Sequence, residues 1–376
     1  MRHAEREDDG DRVILSYHDH PEGPLNFVYR FGPDFEILEP AEARRGVADM
    51  ATRLLDDTRR TTMTQTETTR RRVTIDAVTF QRCTQFVKLH AQSLDQAKFR
   101  FAFTGGSRAD ILQELAAYRN DDGGFGSGLE PDFLLPDSSA IATWVDLGVL
   151  VELETRRSSP GCRRRRLPAA YHAHTDDGRW ATVPPAVNDH PHAAWWQYES
   201  KGGTMLDDTP WNPTAALGGY LTYYARLCPP GLVDDLRVRA LHYLEARADD
   251  GIDMFELSCF ITLAQQVPAD LAPRFHEALK TGVGLTVETD PAKWSEFGAH
   301  PLGFRRRTQL VYHGLRDAVE ANLDFWIETL PEDGGWQPPW SWGMFDDDFA
   351  TAKPGIAWHV TVERLRRLHD FGRIES

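Results

Sequence analysis

Two stretches of this 376-residue chain gather side chains able to move protons or hold a ligand. In Gly126-Ser127-Gly128-Leu129-Glu130-Pro131-Asp132, two carboxylates follow a glycine-rich turn just ahead of a helix. A carboxyl group in apolar surroundings keeps its proton to higher pH and can act as a general acid, so Glu130 and Asp132 are candidate catalytic residues. Acids beside a helix start also cap it, and that alternative stays open. The second stretch, Asn188-Asp189-His190-Pro191-His192-Ala193-Ala194-Trp195-Trp196, packs an acid, two imidazoles and two indoles into nine residues. Asp189 is a third candidate acid. His192, Trp195 and Trp196 suit the wall of a ligand site, through cation–π contact or against a sugar face.

Three further groups extend the candidate list. Trp294 and Glu296 follow Asp290-Pro291, itself an ordinary helix start. Trp340 and Trp342, with Trp336 and Phe345 around them, precede Asp346-Asp347-Asp348 and are candidates for a pocket mouth. Arg163–Arg166 and Arg305–Arg307 are the two basic clusters suited to a diphosphate. The His190-x-His192 spacing shows no third ligand, so no metal is assigned, and no residue pattern names a cofactor.

Composition bounds the partners. Lys plus Arg is 42 and Asp plus Glu 57, a net charge of −15 that opposes binding to nucleic acid or anionic lipid. No apolar run reaches the length of a membrane span. The polar, acidic first residues do not form a secretory signal, so a soluble, cytoplasmic protein is expected. Cys83, Cys162, Cys228 and Cys259 lie far apart without a CxxC pair, as in a reduced compartment. Oligomeric state leaves no mark in the sequence.

The elements that must position these residues fall into two pieces. Residues 58–72 contain one apolar residue, Met63, and read as a linker; Met63 also offers a second start. Residues 1–57 alternate in type: a strand at Val13–Tyr17, a short helix at Leu25–Phe31, a strand at Phe35–Leu38 and a helix from Pro40. The run Tyr29-Arg30-Phe31-Gly32-Pro33-Asp34-Phe35-Glu36-Ile37-Leu38-Glu39-Pro40 resembles the C-terminal extension of bacterial WYL-domain transcriptional regulators. Neither a helix-turn-helix nor the Trp-Tyr-Leu core of that family accompanies it.

Residues 73–376 read as all-α. The spacing of Ile141, Trp144, Leu147 and Val151 predicts a helix capped by Asp137 or Ser138. Asn212-Pro213 predicts a helix start with Asn as N-cap, Leu315–Leu330 predicts another helix, and Pro354–Leu368 the last. A turn repeats along the body: Asp121-Asp122-Gly123-Gly124-Phe125, Asp176-Asp177-Gly178-Arg179-Trp180, Asp249-Asp250-Gly251-Ile252 and Glu332-Asp333-Gly334-Gly335-Trp336. In each, Asp and Gly turn the chain at a helix end and a large apolar residue follows to pack on the next layer.

These turns resemble the repeats of the terpenoid-cyclase and protein-prenyltransferase α/α toroid. Tyr118–Asp132 and Gln337–Gly343 are also similar to bacterial prenyltransferase-like proteins. The resemblance implies an (α/α)6 toroid of about six helical hairpins around an aromatic-lined cavity. It further implies an isoprenoid-handling enzyme with an apolar small-molecule substrate, in which Glu130, Asp132 or Asp189 starts a cyclisation or isomerisation. The family's Asp-x-Asp-Asp acid motif is absent, and Glu256-Leu-Ser-Cys259 does not reproduce its Asp-x-Cys zinc pair. Two alternatives therefore stand beside it. One is a carbohydrate-active (α/α)6 enzyme (glycosidase, epimerase or lyase) using Trp platforms and paired carboxylates; the other is a non-catalytic binding module.

Overall fold

A computed structural model describes residues 4–9, 12–17, 72–155, 178–222, 225, 228–247, 249–303 and 315–375. The chain divides into two compact units, Met1–Arg71 and Arg72–Ser376. In the first, β1 (Ala4–Asp9) pairs antiparallel with β2 (Arg12–Tyr17), in a register running from Ala4 opposite Tyr17 to Asp9 opposite Arg12. The expected strand at Val13–Tyr17 is β2. Its partner, Ala-Glu-Arg-Glu-Asp-Asp, carries no apolar alternation to betray a strand. The elements expected at Leu25–Phe31, Phe35–Leu38 and beyond Pro40 lie outside the described residues, as do both arginine clusters.

The second unit is helical, with only isolated bridges outside its helices among the described residues. In chain order its helices are α1 (Ala77–His90), α2 (Ser93–Phe103), α3 (Arg108–Ala116), α4 (Ala140–Thr155), α5 (Thr214–Leu221), α6 (Leu232–Arg247), α7 (Met254–Ala264), α8 (Ala272–Thr286), α9 (Arg316–Glu328) and α10 (Asp346–Asp370). Side-chain caps fix several starts. Asp76 accepts from Thr79 N at 2.7 Å, Asp253 accepts from the amides of Phe255 and Glu256, and Ser107 with Asp110 forms a capping box.

Two kinds of helix are present. All eight residues of α5 are buried, and α4 and α7 are apolar on most of their circumference, as helices enclosed on every side must be. By contrast, α8 buries one stripe, Phe275, Ala278, Leu279, Gly282 and Val283, and leaves the rest to solvent. The closest helix pair is α5 with α7. Gly219 makes it possible: a Cβ there would lie 2.9 Å from Leu263 Cα.

All four repeated turns share a left-handed glycine. Gly123, Gly178, Gly251 and Gly334 occupy the left-handed region, with φ of 85°, 73°, 84° and 90°, where glycine carries no Cβ penalty. Phe125, Trp180, Ile252 and Trp336 then turn inward and are buried. The Trp180 amide donates to Thr214 Oγ1 and the Trp336 amide to Thr361 Oγ1, at 3.1 and 3.0 Å. Asp249-Asp250-Gly251-Ile252, which lacks the aromatic, turns the chain like the others.

The two ends of the body meet. Ile75 N donates to Arg373 O and Glu375 N to Ile75 O, at 2.8 and 2.9 Å, while α10 packs on α1 and α2. Arg373 is fully buried there. Its guanidinium donates to Asp324 Oδ1 at 2.6 Å, to Glu320 Oε2 at 2.7 Å and to Val73 O at 2.6 Å.

Three helix boundaries differ from expectation. Ser139, not Asp137 or Ser138, accepts from Ala142 N at the start of α4, because Ser138 is occupied by Asp122 and Asn120. Helix α5 starts at Thr214, after Pro213; Asn212 accepts instead from Cys259 Sγ. Pro354 lies inside α10 rather than at its start, since Phe349 and Ala352 anchor the preceding turns against the Trp342 cluster.

Arg373→Ala would leave Asp324 buried without its cation, a loss on the order of 3–5 kcal/mol. Urea unfolding should therefore move to a markedly lower midpoint with unchanged slope; an unaltered midpoint would mean that this clamp does not hold the ends.

Candidate functional site

Helix α10 carries two surfaces on one stripe. Phe349, Ala352 and Ile356 belong to an aromatic cluster, and His359, Glu363 and Arg366 continue at spacings of three and four. Five helices meet at the second half of this stripe and enclose a cavity of about 60 Å³, several times what one water needs (about 10–15 Å³). Lys98 comes from α2, Glu152 from α4, Tyr220 from α5, Ser258, Thr262 and Gln265 from α7, and His359 and Glu363 from α10; Val145, Val149 and Ile261 supply the apolar wall.

The charges around it are chained together. The buried Asp95 carboxylate accepts from Lys98 Nζ at 3.5 Å and meets His359 Nδ1 at 3.3 Å. Lys98 Nζ also lies 3.9 Å from Glu363, whose Oε1 accepts from Arg366 at 3.0 Å; Arg366 in turn pairs with Glu152. Burial disfavours the Asp95 anion, but the Lys98 and His359 cations outweigh it and hold the carboxyl at about 2. With Nδ1 committed to Asp95, the ring nitrogen of His359 left for a ligand is Nε2.

At the N-terminal ends of α4 and α10, loops knit together most of the residues expected from sequence. Asp132 Oδ1 accepts from Trp342 Nε1 at 3.0 Å and from Trp340 Nε1 at 3.4 Å. The backbone closes the same junction: Ala193 N donates to Asp132 O, Leu134 N to Pro191 O and Ala194 N to Trp342 O, each at 2.8 Å. Desolvation pushes the Asp132 carboxyl above its ordinary value, opposed by the two indole donors and by the charge of His359.

His192 is buried with both ring nitrogens engaged, Nδ1 on His190 O and Nε2 on Gln197 Oε1. It holds the shape of its loop. Trp196 packs edge-on against Phe133, and Trp195 is partly exposed beside it. Glu130 is partly exposed and Asp189 exposed, at the end of the short turn Pro185–Asp189. Trp294 lies apart, buried on Phe325 with its indole donating to Glu288 O; Glu296 is exposed.

Neither Asp95 nor Lys98, His359, Glu363 or Arg366 stood among the sequence candidates. The available signal was a set of charged residues at helical spacing on the buried faces of their helices, Asp95/Lys98 and His359/Glu363/Arg366. Glu256 and Cys259 also take roles of their own. Glu256 is buried, accepts from Trp211 N and Tyr243 OH, and is raised in pKa by its desolvation. Among the described residues, no three His, Cys, Asp or Glu side chains are grouped to hold a metal ion.

Comparison with known proteins reaches the first unit. Residues 2–55 match the WCX domain. This is the C-terminal extension of WYL regulators, the resemblance carried by Tyr29–Pro40. No curated protein and no solved structure matches the chain. No helix among the described residues is long and apolar enough to cross a membrane.

Asp95 titrates below its unfolded value, so its stabilisation is complete above about pH 4 and lost as pH falls towards 2. Lys98→Met removes the stronger of the two cations that lower it and raises the folded-state value. Acid unfolding followed by circular dichroism should then begin at higher pH than in the parent; an unchanged acid limb would remove Lys98 from this role.

Proposed function

We propose that residues 72–376 form an α/α toroid whose central cavity binds a small, uncharged, hydroxylated molecule of carbohydrate type and exchanges a proton with it. Three features support the toroid: the left-handed Gly shared by the repeated turns, the meeting of the first and last residues of this unit, and a cavity bordered by five helices.

The Asp95–His359 contact at the cavity wall carries the functional reading. A carboxylate on Nδ1 fixes the imidazole tautomer and stabilises the imidazolium that forms when Nε2 takes a proton from a hydroxyl. Asp95, ionised down to low pH, suits that task. Asp132 is the sequence candidate this reading retains as an acid, because its surroundings favour the protonated form and His359 acts on it electrostatically. Trp340 and Trp342 position it.

The lining favours the carbohydrate alternative over the isoprenoid one. A prenyl chain asks for an apolar tunnel, whereas this wall offers hydroxyl, amide and charged groups. Among the described residues that line the cavity, Lys98 and His359 each already face a carboxylate, which disfavours a diphosphate or a uronate as their partner.

A thermal-shift series on the full chain separates the readings. Methyl glycosides should stabilise it, by roughly 2.7 kcal/mol at a hundredfold excess over Kd. His359→Gln should weaken that binding about tenfold or more while the circular-dichroism spectrum is kept. Stabilisation by prenyl diphosphates alone would contradict the proposal. Sugar binding indifferent to His359→Gln would reduce the site to a non-catalytic module.

A further inference from the structure

Towards the N-terminus of α7, one of the helices lining the cavity, the surface changes character. On α7, Phe255, Ser258, Thr262 and Gln265 follow at spacings of three and four and share a face. Phe255 therefore stands about 10 Å from Thr262 along the helix axis, on the side where the loops of Asp132 and Trp342 gather. Phe255 is 38% exposed and Phe297 55% exposed. Their ring centroids are 6.3 Å apart, and Phe297 lies 5.9 Å from Trp340, which reaches Asp132 through its indole N–H.

The result is a run of neighbouring aromatic rings from three separate segments, ending at Asp132. Its side chains have no hydrogen bond to offer: phenyl rings have none, and the single N–H of Trp340 is directed at Asp132. Contiguous exposed apolar surface next to a polar cavity marks a place where apolar matter is covered.

Resting on the reading of the cavity as a site for a neutral hydroxylated group, we propose that the ligand is amphiphilic. Its hydroxylated head enters the cavity at His359, and its apolar tail lies along Trp340, Phe297 and Phe255.

The test is isothermal titration of the full chain with methyl, butyl, hexyl and octyl β-glucosides and β-galactosides below their aggregation concentrations, with cellotriose as a polar control of similar length. Affinity should rise with tail length, by up to about fourfold per methylene buried. Phe297→Ala and Phe255→Ala should flatten that dependence, whereas His359→Gln should weaken the whole series in parallel and leave its slope. A slope unchanged in both phenylalanine variants would overturn the tail site. So would cellotriose binding as tightly as the octyl glycosides. If methyl glycosides bind but longer tails gain nothing, the tail site falls and the cavity reading stands. If no glycoside binds, both fall.

Discussion

A carboxylate buried among helices must be neutralised, and Asp95 is neutralised from two directions. Lys98 reaches it from the next turn of its own helix and His359 from α10, near the other end of the chain. Desolvating an unpaired carboxylate costs several kcal/mol, so α2 and α10 are held at the separation that keeps these contacts. The chain then passes on through Glu363 and Arg366 to Glu152 on α4. One electrostatic requirement thus ties together three helices that wall the cavity, and it leaves imidazole Nε2 as the group able to react.

The apolar framework makes this arrangement possible. α5 can approach α7 closely because Gly219 has no side chain, and the repeated Gly turns redirect the chain so that Phe125, Trp180, Ile252 and Trp336 are buried. The Arg373 clamp fixes where α10 ends relative to α9 and the first residues of the body. Along α10, one stripe then passes from Phe349 and Ile356 to His359 and Glu363, so a single rigid element relates the aromatic loops to the charged interior.

How much of this the sequence disclosed depended on range. The Asp-Gly turns were legible because their chemistry is local: a left-handed glycine followed by a large apolar residue. Asp132, Trp340 and Trp342 were legible as candidates by type, but 208 and 210 residues separate the acid from its two indoles, so their meeting was not. Asp95 and His359 are 264 residues apart, and a histidine at helical spacing reads equally well as a core residue. Proline misled twice. Pro213 and Pro354 both carry the signature of a first helical position, yet the turns around them are set by Asn212 with Cys259 and by Phe349 with Trp342. The β1 strand escaped because its side chains are charged and only its pairing with β2 defines it.

Nitrogen-15 NMR of the histidine side chains in the full-length protein tests the central claim most directly. His359 should be locked with its proton on Nδ1, and Asp95→Asn should release it into a mixture of both tautomers. A His359 that already exchanges between tautomers in the parent, and is unmoved by Asp95→Asn, would contradict the oriented imidazole on which the functional reading stands.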